Sequence, residues 1–320
     1  MNTDIKKIIE NNICNLCPRE CNVDRNNTVG YCRAKANISL ARAALHYYEE
    51  PPVSGKNGSG AVFFSGCNLR CVFCQNSSIS AYESYKEVSI ERLSEIFMEL
   101  QDKGANNINL VTPSHYSKDI IKALDIAKNM GLKIPIVYNS SAYEKPEEIR
   151  HLSDYIDVFL PDFKYMDPLL SYRLSSAKDY PEVAMEAIDT MVKLKGKAEF
   201  IERNGDTIMS NGVIVRHLCL PGCMKDSIKI IDYLYNKYGD TIYLSIMNQY
   251  TPNIKSNLEK MNFSDIQEKY PAFSLSRKLT SYEYKKIVDH AIDIGVTNGF
   301  MQESGTSSES FIPDFDFTGI

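Results

Sequence analysis

The sequence predicts an α/β fold in which repeated strand and helix units surround a parallel sheet. From residue 59 onward, short β-branched and aromatic runs alternate with segments of helical hydrophobic period, which is the pattern of repeated βα units. The chain has 320 residues, of which 43% are hydrophobic, and this is enough to bury a core as one or two domains. Several predicted strands end in polar or sulfur-containing residues. In βα barrels those carboxyl ends carry the chemistry.

Six strands and five helices are predicted in this part of the chain. Each strand is a short apolar run rich in β-branched or aromatic residues: Gly60 to Gly66, Asn107 to Thr112, Ile134 to Asn139, Val158 to Phe163, Gly212 to Leu220 and Thr241 to Met247. Each helix repeats apolar residues at helical spacing: Glu91 to Asp102, Lys118 to Asn129, Pro181 to Lys195, Ser227 to Tyr238 and Ser281 to Ile294.

Composition and charge exclude several classes of protein. The chain carries 36 Lys and Arg against 41 Asp and Glu, a formal net charge of −5, which argues against a protein that binds nucleic acid through the phosphate backbone. The first twelve residues are polar and charged, and the longest apolar runs, such as AVFF and IPIV, are far too short to span a membrane. We therefore expect a cytoplasmic protein without nucleic-acid or membrane partners. Its nine clustered cysteines favour metal ligation over disulfides.

The first 58 residues differ in composition and are predicted to form a cysteine-rich, metal-binding appendage. They comprise a short helix, a cysteine-rich segment at 14–32 and the start of a Pro/Gly/Ser-rich linker at 51–60. Residues 59–320 are predicted to form the barrel. The last fourteen residues of the chain, SSESFIPDFDFTGI, alternate apolar anchors with acids, and we expect them to lie as a strap over the barrel.

Three cysteines follow the first predicted strand in the sequence SGCNLRCVFCQN. Cys67, Cys71 and Cys74 are spaced C-x3-C-x2-C. Three thiolates from one loop suit a [4Fe-4S] cluster that leaves its fourth iron open, whereas a structural zinc site needs a fourth ligand that is not close by in sequence. Gly66 permits close approach of the backbone, and the ring of Phe73 can pack against a bound ligand.

This motif resembles the signature of the radical S-adenosylmethionine (SAM) superfamily, which has an aromatic residue before the third cysteine. Together with CNLCPRECNVDR and EEPPVSGKNGSG, it resembles the pyruvate formate-lyase-activating-enzyme-like branch over nearly the whole chain. The resemblance implies a partial (β/α)6, TIM-like barrel and an enzyme that reductively cleaves SAM at a [4Fe-4S] cluster. The 5′-deoxyadenosyl radical so formed would abstract a hydrogen atom, with a glycyl radical enzyme as the implied partner and flavodoxin or ferredoxin as electron donor.

The resemblance also assigns cofactor contacts at the strand ends. The second strand ends where the superfamily usually has a Gly-Gly-Glu turn that receives the SAM amino group, and here that turn is substituted. The implied contacts to SAM are Phe73, Thr112, Ser114, Asn139, Asp162, Lys164 and Arg216. From the residues alone, Asp162 and Lys164 share one face of a strand, so they either form a buried ion pair between layers or bind a zwitterionic cofactor.

A second cysteine cluster lies in the appendage. Cys14, Cys17, Cys21 and Cys32 are spaced C-x2-C-x3-C-x10-C, which indicates a closed metal site. The spacing does not choose between structural zinc and a second iron–sulfur cluster.

Two further cysteines, Cys219 and Cys223, flank Pro221 and Gly222 after the fifth strand. They are either small hydrophobes or thiol hydrogen-atom donors near the active-site mouth. The second case would make the protein a radical SAM enzyme that modifies a peptide or small metabolite. A third hypothesis is a non-catalytic iron–sulfur or zinc carrier.

Three histidines carry expectations of their own. His115 either faces SAM or substrate or has a structural role. His217 should point into the helix layer, opposite Arg216. His46 is interpreted as a packed or surface residue rather than a metal ligand.

Overall fold

The computed structural model describes residues 13–203, 205–252, 261–302 and 312–320. The strands are β1 (Ile13–Cys14), β2 (Val23–Asp24), β3 (Ile38–His46), β4 (Ser59–Phe64), β5 (Lys86–Val88), β6 (Ile108–Val111), β7 (Ile136–Ser140), β8 (Val158–Pro161), β9 (Glu199–Arg203), β10 (Asp206–Leu218), β11 (Tyr243–Met247) and β12 (Gly299–Met301). The helices are α1 (Pro51–Ser54), α2 (Ser77–Ser80), α3 (Ile90–Asp102), α4 (Ser117–Met130), α5 (Pro146–Leu152), α6 (Pro168–Ser175), α7 (Tyr180–Lys195), α8 (Met224–Tyr238), α9 (Ser264–Lys269) and α10 (Ser281–Asp293).

A single large sheet organises the described residues. Its strand order is β12-β11-β10-β8-β7-β6-β4-β3-β5, with β9 paired to β10. The strands from β4 to β12 along this path are parallel and succeed one another in the chain, so the sheet curls in one direction with the long helices on its outer face. The α/β fold and its six predicted strands are confirmed. The parallel series of the described residues has seven strands, one more than predicted, because β12 continues it beside β11. The short strands β5 and β9 were not predicted either.

The five predicted helices are present as α3, α4, α7, α8 and α10, each with an apolar face turned to the sheet. In α3 the side chains of Leu93, Ile96, Phe97 and Leu100 are all buried, at the i, i+3, i+4, i+7 spacing of one helix face. Local capping fixes where such helices begin: the Thr280 hydroxyl and the Glu283 carboxylate form a reciprocal capping box at the start of α10. None of the helices in the described segments combines the length and apolar composition of a membrane span.

The predicted boundary between the appendage and the barrel, at residue 58, does not match the boundary of the large sheet. Strand β3 lies within residues 1–58, yet it pairs antiparallel with β4 and forms part of the barrel wall. The stretch interpreted as a linker is also buried: α1 starts at a proline, and Pro52, Val53 and Ser54 are packed inside. Small residues at Ala41 and Ala43 let β3 lie close to its neighbours. The short helix predicted at the N-terminus lies outside the described residues.

The last nine residues, 312–320, form the described part of the predicted strap. They run beside β3, where the Ala43 amide donates to the Thr318 carbonyl at 2.9 Å and the Phe317 amide donates to the Ala41 carbonyl at 3.1 Å. Phe315 packs edge-on against Phe63 of β4, with ring centroids 5.5 Å apart. The strap is therefore fastened to the barrel wall at β3 and β4.

Candidate active site

A cavity of about 730 Å³ lies at the carboxyl ends of the parallel strands. Each parallel strand contributes a residue at or just after its end: Phe64, Val111, Ser140, Asp162, Leu218, Met247 and Met301. This is the edge of a βα barrel where catalytic groups from separate strands meet. Residues of the strap, Ile312 and Pro313, close part of its rim.

The three motif cysteines line this cavity. Cys67, Cys71 and Cys74 sit on the loop that leaves β4, and the chain turns sharply at Gly66, whose φ of +98° lies in the left-handed region. A hydrogen bond holds the Cys71 sulfur in place, since Ser175 Oγ lies 3.0 Å from its Sγ atom. Burial, with the neighbouring thiols adding to it, raises the pKa of Cys74 to about 12. The Cys74 thiol therefore holds its proton at neutral pH, and metal binding would displace that proton.

These three thiols fit an open iron–sulfur cluster. In a [4Fe-4S] cluster each protein thiolate binds a different iron, so its ligands surround a volume and need not converge on one point. In the part of the chain that the structure describes, no three His, Cys, Asp or Glu side chains converge to hold a single metal ion. Because the three cysteines line the cavity, a cluster held by them would be open to it, and an exogenous ligand could supply the fourth ligand.

A buried charged group forms another part of the cavity wall. Asp162 accepts from Lys164 Nζ at 2.6 Å and from Arg216 Nε at 2.8 Å. Burial by itself raises the pKa of the Asp162 carboxyl, but the two cations outweigh it and hold that pKa below its usual range. The predicted buried ion pair is therefore present, and because its residues also line the cavity, the binding of a zwitterionic cofactor stays a prediction.

Two acids that the sequence analysis missed complete this charged group. Glu49 Oε2 accepts from Arg216 at 3.0 Å, and its other oxygen accepts from the Asn109 and Asn139 amides. Glu50 Oε2 lies 4.0 Å from the same guanidinium, is buried, and has no hydrogen-bond donor among the described residues. Burial raises the pKa of Glu50 to about 7. The acids were missed because an acidic pair before Pro-Pro is typical of a solvated loop.

The remaining predicted SAM contacts divide into those that line the cavity and one that does not. Phe73, Thr112 and Asn139 line it. Thr112 has a φ of +58°, and strain of this kind in a β-branched residue is concentrated at functional sites. Ser114 does not line it: it is the first residue of a 3₁₀ turn, and its hydroxyl donates to Glu144 Oε1 at 2.7 Å.

The other singled-out side chains lie outside the cavity wall. Cys219 and Cys223 are buried among the outer helices, and burial raises the pKa of Cys219 to about 12. The hydrogen-donor interpretation of these thiols is therefore not supported by their position. His217 points into the helix layer as predicted, with Nε2 2.9 Å from the hydroxyl of Ser227 on α8. His115 has the structural role, with Nε2 2.8 Å from the Ser65 carbonyl.

His46 is half-buried at the cavity edge, where its ring packs edge-on against Tyr48 and Phe63. The N-terminal cysteines line a separate, smaller cavity of about 20 Å³: Cys14, Cys17, Cys21 and Cys32.

Comparisons with known proteins identify the family. The family model of the radical SAM superfamily matches residues 61–209, a range that contains the three motif cysteines and Asp162. The uncharacterized protein MJ0674 of Methanocaldococcus jannaschii is 30% identical over 303 residues, which is 90% of this chain and 78% of that protein. MJ0808 of the same organism is 24% identical over 159 residues, 44% of this chain and 47% of that protein. The chain belongs to the radical SAM superfamily.

Two solved structures match part of the chain. Streptococcus suis SuiB, in a crystal structure with SAM bound, has a TM-score of 0.48 at 12% identity over 75% of this chain and 48% of that one. The FeFe-hydrogenase maturase HydG of Carboxydothermus hydrogenoformans has a TM-score of 0.48 at 14% identity over 78% of this chain and 58% of that one. The chain thus spans about half the length of these two proteins.

Membership of the superfamily gives the protein its chemical class. It is a radical SAM enzyme, and its cofactors are a [4Fe-4S] cluster and SAM. The same cavity is lined by the cysteine motif and by the buried charged group of Asp162, Lys164 and Arg216.

Proposed function

We propose that this protein uses the cleavage of SAM to abstract a hydrogen atom from a polypeptide, with the glycyl Cα of a partner enzyme as the substrate position. The observation that supports the first part is the shared cavity, which is lined both by Cys67, Cys71 and Cys74 and by the group of Asp162, Lys164 and Arg216. When bound, the cluster and SAM supply a one-electron reductive cleavage that yields a 5′-deoxyadenosyl radical.

The residues of this chain would bind and orient the two cofactors. The thiolates of the three motif cysteines hold the cluster, and the cations Lys164 and Arg216 offer positive charge to the carboxylate of SAM. Asp162 and Glu49 offer negative charge to the ammonium group. Phe73, buried between Tyr165 and Tyr250, packs an apolar ring beside the cysteine loop and keeps water away from it.

The rim of the cavity favours a polypeptide substrate. Tyr47 and Tyr48 both line the cavity and are 52% and 53% exposed, so they present aromatic surface to whatever enters. Phe300 and Met301 of the edge strand β12 lie on the same wall. A polypeptide segment could contact these side chains while one backbone Cα reaches the cavity. A stable radical left on that Cα needs no hydrogen donor, which agrees with the positions of Cys219 and Cys223.

The experiment supplies the enzyme with a purified glycyl radical enzyme labelled with α-deuterated glycine. The reconstituted protein is mixed anaerobically with SAM and with dithionite, reduced flavodoxin or reduced ferredoxin, and deuterium in 5′-deoxyadenosine is measured by mass spectrometry. We expect deuterated deoxyadenosine and a glycyl radical signal in the partner by electron paramagnetic resonance (EPR). The double variant Cys219→Ala/Cys223→Ala serves as the matched control and should give the same yield.

The other outcomes separate the competing functions. Deoxyadenosine without deuterium, and no radical on the partner, would refute the glycyl substrate while leaving SAM cleavage intact. Product formation that stalls in the double cysteine variant would favour a peptide or metabolite reaction with a thiol donor. A loaded cluster that never cleaves SAM would favour the carrier hypothesis.

A further inference from the structure

The cysteine-rich segment at residues 13–35 is folded tightly although it has almost no core. Its only regular structure in the described part is the two-residue pairing of β1 with β2. Three of these residues are buried, namely Arg25, Cys32 and Ala34. So small an apolar core does not usually hold a segment in one conformation, and natural proteins supply a metal or disulfides instead. All nine cysteines of the chain are free of disulfides.

The turns of this segment gather its four cysteines around one cavity. Cys14, Cys17, Cys21 and Cys32 line the cavity of about 20 Å³ together. The Tyr31 amide donates to Cys21 Sγ at 3.3 Å, a contact common around metal-bound sulfur. Gly30 passes so close that a Cβ atom there would lie 2.9 Å from the same sulfur.

Two arginines face this cavity and have no acidic partner in the described part of the chain. Arg25 is 9% exposed, and its guanidinium donates to the carbonyls of Ala34, Lys35 and His115. Arg19 likewise donates to three carbonyls, and both arginines line the cavity. A buried guanidinium needs a counter-charge. Four thiolates around a core of charge 2+ carry a net charge of −2, which would balance the two cations.

The same segment forms hydrogen bonds to the loop that carries the catalytic cysteines and to the residue beside it. Arg19 Nε donates to the Asn68 carbonyl at 2.8 Å, and its Nη2 donates to the Ser175 carbonyl at 2.9 Å. Ser175 is the residue whose hydroxyl lies against Cys71 Sγ. The Arg19 guanidinium stacks 3.9 Å from the centre of the Tyr31 ring, whose hydroxyl donates to the Leu69 carbonyl.

We propose that Cys14, Cys17, Cys21 and Cys32 bind a second metal centre as thiolates, and that this centre holds Arg19 against the catalytic cysteine loop. Each thiol releases its proton to solvent as its sulfur–metal bond forms, so filling the site releases four protons in all. An iron–sulfur cluster supplies the required chemistry, because its ligands surround a volume, whereas a single zinc ion needs side chains that converge on one point and none do so among the described residues. Arg19 is then a positioning residue, because it acts on the catalytic cluster only through the carbonyls that it binds.

The first test counts metals in full-length, anaerobically purified protein. We expect about four irons on the catalytic cysteines plus about four further irons on the N-terminal cysteines. The variant Cys17→Ser/Cys21→Ser should lose the additional irons, whereas the matched control Cys219→Ser/Cys223→Ser should keep both sets. Equal metal content in the two variants would overturn the proposal.

A second measurement needs no cysteine variant and therefore does not depend on how the variants fold. Anaerobic protein is treated with iodoacetamide, and the four N-terminal cysteines are followed by peptide mass spectrometry. We expect protection that ferricyanide removes and that a zinc chelator leaves in place. Complete alkylation before either treatment would overturn the proposal, whether or not the protein cleaves SAM.

The positioning role is tested with Arg19→Gln. We expect this variant to keep the N-terminal metal and the thermal unfolding temperature of the parent, but to show an altered EPR spectrum of the reduced catalytic cluster and roughly tenfold slower SAM cleavage. Arg19→Lys, which keeps the charge but cannot donate to three carbonyls, should recover only part of the rate. An unchanged spectrum and rate in Arg19→Gln would refute the link between the two sites.

Discussion

Replacing Arg216 by glutamine should destabilise the protein strongly at about pH 8 and much less at about pH 5.5. Arg216 is 13% exposed and is the cation that three acids share: it lies 2.8 Å from Asp162, 3.0 Å from Glu49 and 4.0 Å from Glu50. Lys164 contacts only Asp162 among these acids. The substitution therefore leaves two buried glutamates without a cation.

The size of the stability loss in Arg216→Gln and its dependence on pH follow from these contacts. Removing one partner of a buried ion pair costs about 3 to 5 kcal/mol, because the remaining charge is unpaired. Burial already raises the pKa of Glu50 to about 7, and Arg216 is the cation that opposes this rise. Without it the glutamate pKa values rise further, so the folded variant binds more protons than its unfolded chain above pH 4.5. Its stability then falls with increasing pH by about 1.4 kcal/mol per pH unit for each extra proton.

The assay is urea unfolding of the parent and the variant at both pH values, with Arg92→Gln as a matched control. Arg92 also pairs with two acids, Glu95 and Glu99, but all three side chains are at least one third exposed. Such a surface group contributes about 1 kcal/mol or less. We expect the loss of unfolding free energy in Arg216→Gln to be roughly 2 to 3 kcal/mol smaller at the lower pH than at the higher pH. An equal loss at the two pH values, or a loss no larger than in Arg92→Gln, would refute the reasoning.

Three further predictions concern single substitutions. Gly66→Ala should lower the free energy of unfolding by about 1 to 3 kcal/mol and lower the iron content, because its Cβ would meet the Cys32 carbonyl at 2.8 Å in a left-handed turn. Gly104 has a similar φ but open space around it, so Gly104→Ala is the control. An equal loss of stability in the two variants would contradict this prediction. Asp162→Asn should weaken SAM binding in titration calorimetry by about tenfold or more, since it removes the carboxylate that aligns two cations. Glu283→Gln should destabilise by about 1 to 2 kcal/mol at neutral pH.

The Glu283 prediction has a defined pH window. Arg277 and the Thr280 cap lower the pKa of this carboxyl to about 2, so its ionised form stabilises the folded state. That contribution is complete above the unfolded value of about 4.5 and is lost as the pH falls toward 2. Urea unfolding of Glu283→Gln and parent should therefore converge in acid. If the difference in unfolding free energy between parent and Glu283→Gln were the same at pH 7 and pH 3, the stabilisation by Glu283 would not depend on its charge.

Local patterns in the sequence predicted most strands and helices of the parallel barrel and the position of the cysteine motif at a strand end. The strand of Arg216 and His217 illustrates why: side chains alternate along a strand, so placing Arg216 toward the cavity also places His217 toward the helices. Asp162 and Lys164 followed from the same rule. These inferences needed only the neighbours of each residue along the chain.

Features that depend on distant partners were missed or placed wrongly. Strand β3 owes its position to pairing with β4, and the three-residue strand β12 is too short to have a hydrophobic period. Glu49 is recognisable as a site residue only through its contact with Arg216, which lies 167 residues away in sequence. Ser114 was placed in the site because it follows a strand end, but a 3₁₀ turn redirects it. No local signal encodes these outcomes.

The measurement that tests the central claim most directly is the yield of 5′-deoxyadenosine from SAM and dithionite under anaerobic conditions. Wild-type protein with a reconstituted cluster should release deoxyadenosine and methionine. The triple variant Cys67→Ala/Cys71→Ala/Cys74→Ala should release neither, although it keeps the metal of the N-terminal site. Equal yields from the two proteins would contradict the assignment of the catalytic cluster to these three cysteines.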